Sequence, residues 1–327
     1  MHLSAEEPST TTTQTYRQAI RPFNPMGLAG VDSQVASILR NYYIFNYTDS
    51  ESWRRVESIR FRGRLHLPHA SFWFVAYKKK PDYSRVVIYS GAEPVLVMAY
   101  DGEDAWQIDS AHASEPVAML ANDALNFIRD AATAGHLMYP SLPGKTIELR
   151  GSTEIDGRNC FELLITLPNG QQITSIVDKL TFEELRQVTT NAATGSDEVV
   201  HNTKFEIVDG IRLSVASDKF VEGKKAHSIE IDEITYNVGV MPWMFARESG
   251  AYIPELERLA ASLHEAAKTS SEAEVDTMDA NAASTGPSFS PFARKSAFDE
   301  VDLSEISVLE GLGVAPEQPE RLRKTFE

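Results

Sequence analysis

Ser58-Ile59-Arg60-Phe61-Arg62-Gly63-Arg64-Leu65-His66-Leu67 alternates with a period of two. In an extended chain Ile59, Phe61, Gly63, Leu65 and Leu67 share one face, and Arg60, Arg62, Arg64 and His66 share the other. Such a segment is a β-strand with one dry side and one wet, basic side. Further strand candidates follow at hairpin spacing, at 71–79, 84–89, 95–100 and 105–108. A second run covers 146–151, 159–167, 171–178, 182–190, 199–208, 211–220 and 226–236. Asp101-Gly102, Asp156-Gly157, Asn169-Gly170 and Asp209-Gly210 supply turn chemistry between them. Twelve strands in hairpin order predict a mainly β (α+β) chain folded as one antiparallel meander, not a parallel α/β sheet.

Two helices accompany the strands. Val31, Val35, Ile38, Leu39, Tyr42 and Phe45 recur at helical spacing and predict a helix over about 32–47, with Asp32 or Ser33 at its start. Between the two runs of strands, Ser114-Glu115-Pro116 offers a cap and an early proline. Val117, Leu120, Ala124, Phe127, Ile128 and Ala131 form that helix's stripe, and Gly135 ends it. Around this body, 1–28 reads as a flexible leader and 29–249 as the strand-rich domain. Residues 250–270 read as a C-terminal helix, and 271–327 as an acidic, largely disordered tail. Within the tail, 301–312 has the pattern of a short amphipathic helix that could plug a groove.

Of 327 residues, 31 are basic and 47 acidic, a net charge of -16, which argues against a nucleic-acid partner. Sixteen acidic and seven basic residues fall after Arg247, so the acidity is concentrated there. No apolar run approaches the ~18–20 residues of a membrane-spanning helix, and no secretory leader is visible at the start. The single cysteine, Cys160, lies in an apolar run and reads as a small buried side chain. His66-Leu67-Pro68-His69 brings two imidazoles together, but Pro68 breaks the strand between them; both read as turn residues. Asp101-Gly102-Glu103-Asp104 reads as a hairpin tip, not a calcium loop. No nucleophile elbow, phosphate loop or metal motif occurs. The expectation is a non-enzymatic protein with no catalytic residues, no metal and no cofactor.

The apolar inventory is the stronger signal. Fifteen Phe, eleven Tyr and four Trp are concentrated in the strands, and Ser71-Phe72-Trp73-Phe74-Val75-Ala76-Tyr77 is apolar on both faces. A twisted sheet of this breadth tends to curl, and its concave side has to be filled. Two short helices cover it only partly. Either they complete an ordinary core, or a cavity remains for a greasy ligand.

Several turn motifs recur in a fixed order between Asp32 and Phe245. The first strand Ser58–Gly63 is followed by Lys80-Pro81-Asp82-Tyr83-Ser84-Arg85 and Tyr100-Asp101-Gly102-Glu103-Asp104-Ala105-Trp106. Glu148-Leu149-Arg150-Gly151 then leads into Ile155-Asp156-Gly157-Arg158-Asn159-Cys160-Phe161. Val208-Asp209-Gly210-Ile211 and Ile234-Thr235-Tyr236-Asn237 close the series. In this order they resemble the LolA/LolB-like periplasmic lipoprotein-carrier superfamily, in its outer-membrane lipoprotein-sorting branch.

The resemblance implies a curved antiparallel sheet forming an unclosed half-barrel, lined by apolar side chains and covered by helices. Its implied wall comprises Ile59, Phe61, Leu65, Phe72, Phe74, Val97, Phe161, Leu163 and Ile165, with lids around Leu39 and Leu120. It implies a soluble periplasmic monomer whose partners are an acylated lipoprotein or lipid and membrane-bound donor and acceptor proteins. Two features depart from the pattern. Asp178-Lys179-Leu180-Thr181-Phe182 lacks the usual proline-like turn, and the acidic tail after Ser249 is outside the common pattern. An anchored member would carry a lipid-modified cysteine at its mature start, and none is present, so a soluble carrier fits better. The superfamily's lid-holding arginine is assigned to none of Arg60, Arg62 and Arg64. The alternative is an envelope interaction module with a self-filled core, engaging a partner through its tail or its arginine face.

Overall fold

Thirteen strands pair into one antiparallel sheet: β1 (Ser58–His66), β2 (Ser71–Lys79), β3 (Tyr83–Ser90), β4 (Glu93–Tyr100), β5 (Ala105–Asp109), β6 (Val117–Ala118), β7 (Thr146–Ile155), β8 (Arg158–Thr166), β9 (Gln172–Asp178), β10 (Glu184–Thr190), β11 (Asp197–Val208), β12 (Ile211–Val221) and β13 (Lys224–Tyr236). Among the described residues three α-helices accompany them: α1 (Ser33–Asn46), α2 (Ser50–Arg54) and α3 (Ala121–Ala131). The computed structural model describes residues 24–252 except 113, 134, 192 and 193. The leader up to residue 23, the C-terminal helix beyond 252, the acidic tail and the segment 301–312 lie outside the described residues.

The strand order is β6-β5-β4-β3-β2-β1-β13-β12-β11-β10-β9-β8-β7. Two meanders therefore meet at a single seam, β1 against β13. Consecutive strands β6 and β7 stand at opposite edges and do not pair, so the sheet is a curved half-barrel that stays unclosed. Asp156-Gly157 and Asp209-Gly210 make the tight turns read from sequence, both residues of each pair holding positive φ. The turn at 178–182 works without proline. The Asp178 carboxylate accepts the Leu180 and Thr181 amides at 2.7 and 2.6 Å and the Arg158 Nε at 2.7 Å.

The expected helix over 114–131 is shorter than its apolar period suggested. Val117 and Ala118 are extended and pair with Gln107 and Trp106 on β5. The Met119 amide continues the ladder to the Ala105 carbonyl at 3.0 Å. The open edge of β5 thus takes residues that periodicity alone assigned to the helix, and α3 begins at Ala121 without a side-chain cap.

At the seam, Arg62 faces Glu233 but Gly63 faces Ile231, so Asp232 is an extra residue on β13. This bulge sharpens the bend of the sheet. A Cβ on Gly63 would overlap the Glu230 carbonyl oxygen and sit 2.9 Å from the Ile231 Cα. The basic stripe of β1 is spent on the same seam. Arg60 and Arg62 pair with Glu233, and Arg64 pairs with Asp232 and Glu230 at 3.0 and 3.4 Å. These are partly exposed pairs of about 0–1 kcal/mol each, so they favour register more than stability.

The outer face of β2–β5 is also dry, which explains the two-sided apolar run in β2. Val75, Tyr77, Val87, Val97 and Trp106 are buried with Val240 and Phe245 of the segment that follows β13. Arg85 fastens that segment. Only 2% exposed, it donates to the Met244, Gly250 and Tyr252 carbonyls and the Ser249 hydroxyl at 2.8–2.9 Å. The Trp106 indole donates to the Phe245 carbonyl at 2.8 Å. Burial pulls Arg85 down to about 10, which leaves it charged at neutral pH.

Two outcomes follow. Arg85→Ala strands several buried acceptors and lowers unfolding free energy by about 3 kcal/mol or more in urea titrations, with faster proteolysis at 238–252. Gly63→Ala forces the seam apart and costs about 1–3 kcal/mol in thermal unfolding.

Candidate functional site

The inner face of the half-barrel divides into a closed end and an open end. At the closed end α1 starts where the Asp32 carboxylate accepts the Gln34 and Val35 amides at 2.9 and 3.2 Å. Its stripe of Val35, Ile38, Leu39 and Tyr43 is buried, and the Tyr43 hydroxyl donates to the Leu137 carbonyl at 2.8 Å. Asn46 then ties the end of the helix to the Phe182 carbonyl at 2.7 Å. Leu39, Ile59, Leu163, Ile165, Ile173 and Val177 share this cluster, which is solid core.

Beyond Phe61, which packs against both the closed-end cluster and its neighbour, the inner face is not filled by the described residues. A cavity of about 570 Å³ lies between β1–β5 and β10–β13, under α3 and Ala132, Gly135 and His136. That volume is in the ~300–1,000 Å³ range of small-molecule sites. One wall is apolar, made by Leu65, Phe74, Ile88, Met98, Ile229 and Ile231.

The opposite wall is polar. α3 turns Asp123, Asn126 and Asp130 to the cavity, and β11 and β12 add Glu198, Asn202 and Lys219. Arg129, with its side chain 5% exposed, binds the Asp130 carboxylate at 2.7 and 3.1 Å and the Asn126 carbonyl oxygen at 3.3 Å. Lys219 pairs with Glu198 at 3.0 Å, and both are largely buried. The Lys78 ammonium donates to the Asp130 backbone carbonyl at 2.6 Å, and burial lowers its pKa. Burial, then the nearby Glu198, raises that of Asp123. His136 is 9% exposed on the cavity wall, and burial holds it neutral with a pKa of about 3.

The residues expected from sequence separate into five groups. Phe61, Leu65 and Phe74 line the cavity. Phe72 packs beside Leu65 and Leu96 without reaching the lining. Leu39, Ile59, Leu163 and Ile165 are in the closed-end core, and Phe161 packs against it with its ring 6.3 Å from that of Phe182. Val97 is on the outer face under Val240 and Phe245. Leu120 precedes α3 and is 45% exposed, off the lining. Thus one of the two expected lids, α3, covers the cavity, while α1 covers core. The polar wall escaped sequence reading because Glu198, Asn202, Ser217 and Lys219 look like the wet face of ordinary strands. The register of β11 on β12, which sets Asn202 against Ser217 and Val200 against Lys219, carries the signal that they share one face.

Cys160 is fully buried beside Ile176 and Leu185, and burial pushes its thiol up. No helix among the described residues is long and apolar enough to cross a membrane.

No family model matches this chain, and no curated protein matches it in sequence. Solved structures do. A DUF1329 family protein from Desulfovibrio piger is 14% identical, with a TM-score of 0.47 over 65% of this chain and 98% of its own. A LolA superfamily protein from Nitrosomonas europaea is 14% identical, at 0.46 over 66% and 98%. An outer membrane lipoprotein-sorting protein domain from Vibrio parahaemolyticus is 10% identical, at 0.45 over 65% and 96%. At these identities the likeness concerns architecture, and the strand order and open edges described above establish that architecture in this chain.

The imidazole at 136 makes acid sensitivity legible. Its pKa is about 3 in the folded protein against an ordinary 6.5, with Asp130, Lys145, Arg129 and Lys78 as its charged neighbours. Between those values the unfolded chain holds a proton that the folded one lacks, so this contribution is intact above 6.5 and is lost as pH falls toward 3. His136→Gln flattens that part of the stability profile, measured by urea unfolding between neutral and acid pH.

Proposed function

We propose that this LolA-like chain is a non-enzymatic carrier that holds the acyl part of a lipid or lipoprotein in the open end of its half-barrel. The observation that carries the reading is the unfilled inner face, where a dry wall runs from Phe61 to Ile231 under a single helix. Each CH₂ taken out of water is worth about 0.8 kcal/mol, so a long acyl chain is held by several kcal/mol without covalent chemistry. α3, which lines the cavity, belongs to the connection between β6 and β7 and not to the sheet, so its displacement allows release without unfolding. A periplasmic setting, with membrane-bound donor and acceptor proteins, belongs to this reading. A role in outer-membrane lipoprotein sorting is its most specific form.

The interaction-module alternative needs a self-filled core and a partner bound through the tail or the arginine face; the cavity among the described residues favours the carrier reading over it, and the arginine face is already paired across the seam. Native mass spectrometry of protein purified from cells, with titration of a fluorescent acyl probe, tests the carrier reading. Bound lipid and saturable probe binding are expected; neither being present overturns it. Met98→Asp buries a carboxylate against the chain and weakens the probe at least about tenfold, the equivalent of 1.4 kcal/mol. An unchanged circular dichroism spectrum confirms that the variant is folded.

A further inference from the structure

We propose that the polar wall selects the ligand's headgroup, and that the ligand is an acyl amphiphile whose headgroup is uncharged overall and rich in hydrogen-bonding groups, as a glycerol ester or glycolipid is. The inference rests on the carrier reading and adds the substrate class. Its first support is a closed charge balance. The cavity is lined by Lys78, Arg129 and Lys219 on one side of the balance and by Asp123, Asp130 and Glu198 on the other. Every cation is already engaged: Arg129 with Asp130, Lys219 with Glu198, Lys78 with the Asp130 carbonyl. Glu198 also accepts from Asn191 at 2.9 Å. An anionic headgroup meets only Lys78 without a carboxylate salt bridge, and burial disfavours the charged form of that ammonium. An ammonium meets only Asp123, whose charged form burial already disfavours. Either one leaves a net charge to be desolvated, at a cost of several kcal/mol.

The second support is independent of these ions. Gln107 is 6% exposed and His136 is 9% exposed, and both line the cavity. Neither side chain has a hydrogen-bond partner among the described residues. Thr189, also 9% exposed, lines the same wall. A glutamine amide and a neutral imidazole each offer a donor and an acceptor. A hydroxyl headgroup both donates and accepts and so satisfies them, whereas a carboxylate only accepts. Buried polar groups of this kind reject ligands that leave them unpaired far more strongly than apolar walls reject a change of size.

The test uses the full chain loaded with a pyrene-labelled hydrocarbon, displaced by a monoacylglycerol, a fatty acid or an alkylammonium of equal chain length at neutral pH. The monoacylglycerol displaces the probe at a concentration at least about tenfold lower than either charged amphiphile. Equal or better displacement by the fatty acid or the alkylammonium overturns the inference and leaves the carrier reading standing. Failure of the hydrocarbon itself to bind overturns both. Gln107→Leu and His136→Leu lower the ratio of glycerol-ester to hydrocarbon affinity at least about fivefold. A ratio unchanged in both variants overturns the assignment of the polar wall.

Discussion

Two strands that follow one another in the chain stand at opposite edges of a thirteen-stranded sheet. Residues 119–145 must therefore travel from the edge at β6 to the edge at β7, and the inner face is their path. α3 lies over the cavity because of that crossing. A lid of this origin needs no strong sequence signal of its own, and α3 has neither a side-chain cap nor an uninterrupted apolar stripe. Its inner residues are then free to be polar, since connectivity already places them over the cavity.

The two faces of the sheet are covered by different means. Outside, a segment after β13 is bound through Arg85 and Trp106 to β2–β5. Inside, α1 closes one end with aliphatic packing around Leu39, while among the described residues α3 meets only the edge of the other end, at Met98 and Tyr100 of β4. A helix of fourteen residues spans only about 21 Å, too short to seal so broad a curved surface. The cavity is the part of that surface left over, and its boundary at Phe61 marks where the core ends.

Much of the fold was legible because its signals are local. The two-residue period of β1, the Asp-Gly turns and the stripe around Leu39 each depend on neighbours in sequence. What was not legible depended on partners far away. Val117-Ala118 fits a helix period until the open edge of β5 offers hydrogen bonds. Val97 shares an apolar strand with cavity residues, yet alternation places it on the opposite face, and only the later segment containing Phe245 makes that face dry. The site was half visible for the same reason. Phe61, Leu65 and Phe74 announce a greasy wall, whereas Glu198 and Lys219 acquire meaning only when β11 and β12 align beneath α3.

The bulge at Asp232 and the bare Cα of Gly63 put the bend of the sheet into its backbone. Shape and lining are thereby uncoupled: side chains along the wall can be exchanged for larger, smaller or more polar ones while the trough keeps its radius. A scaffold built this way can diversify in what it accepts by point substitution alone, with no remodelling of strands.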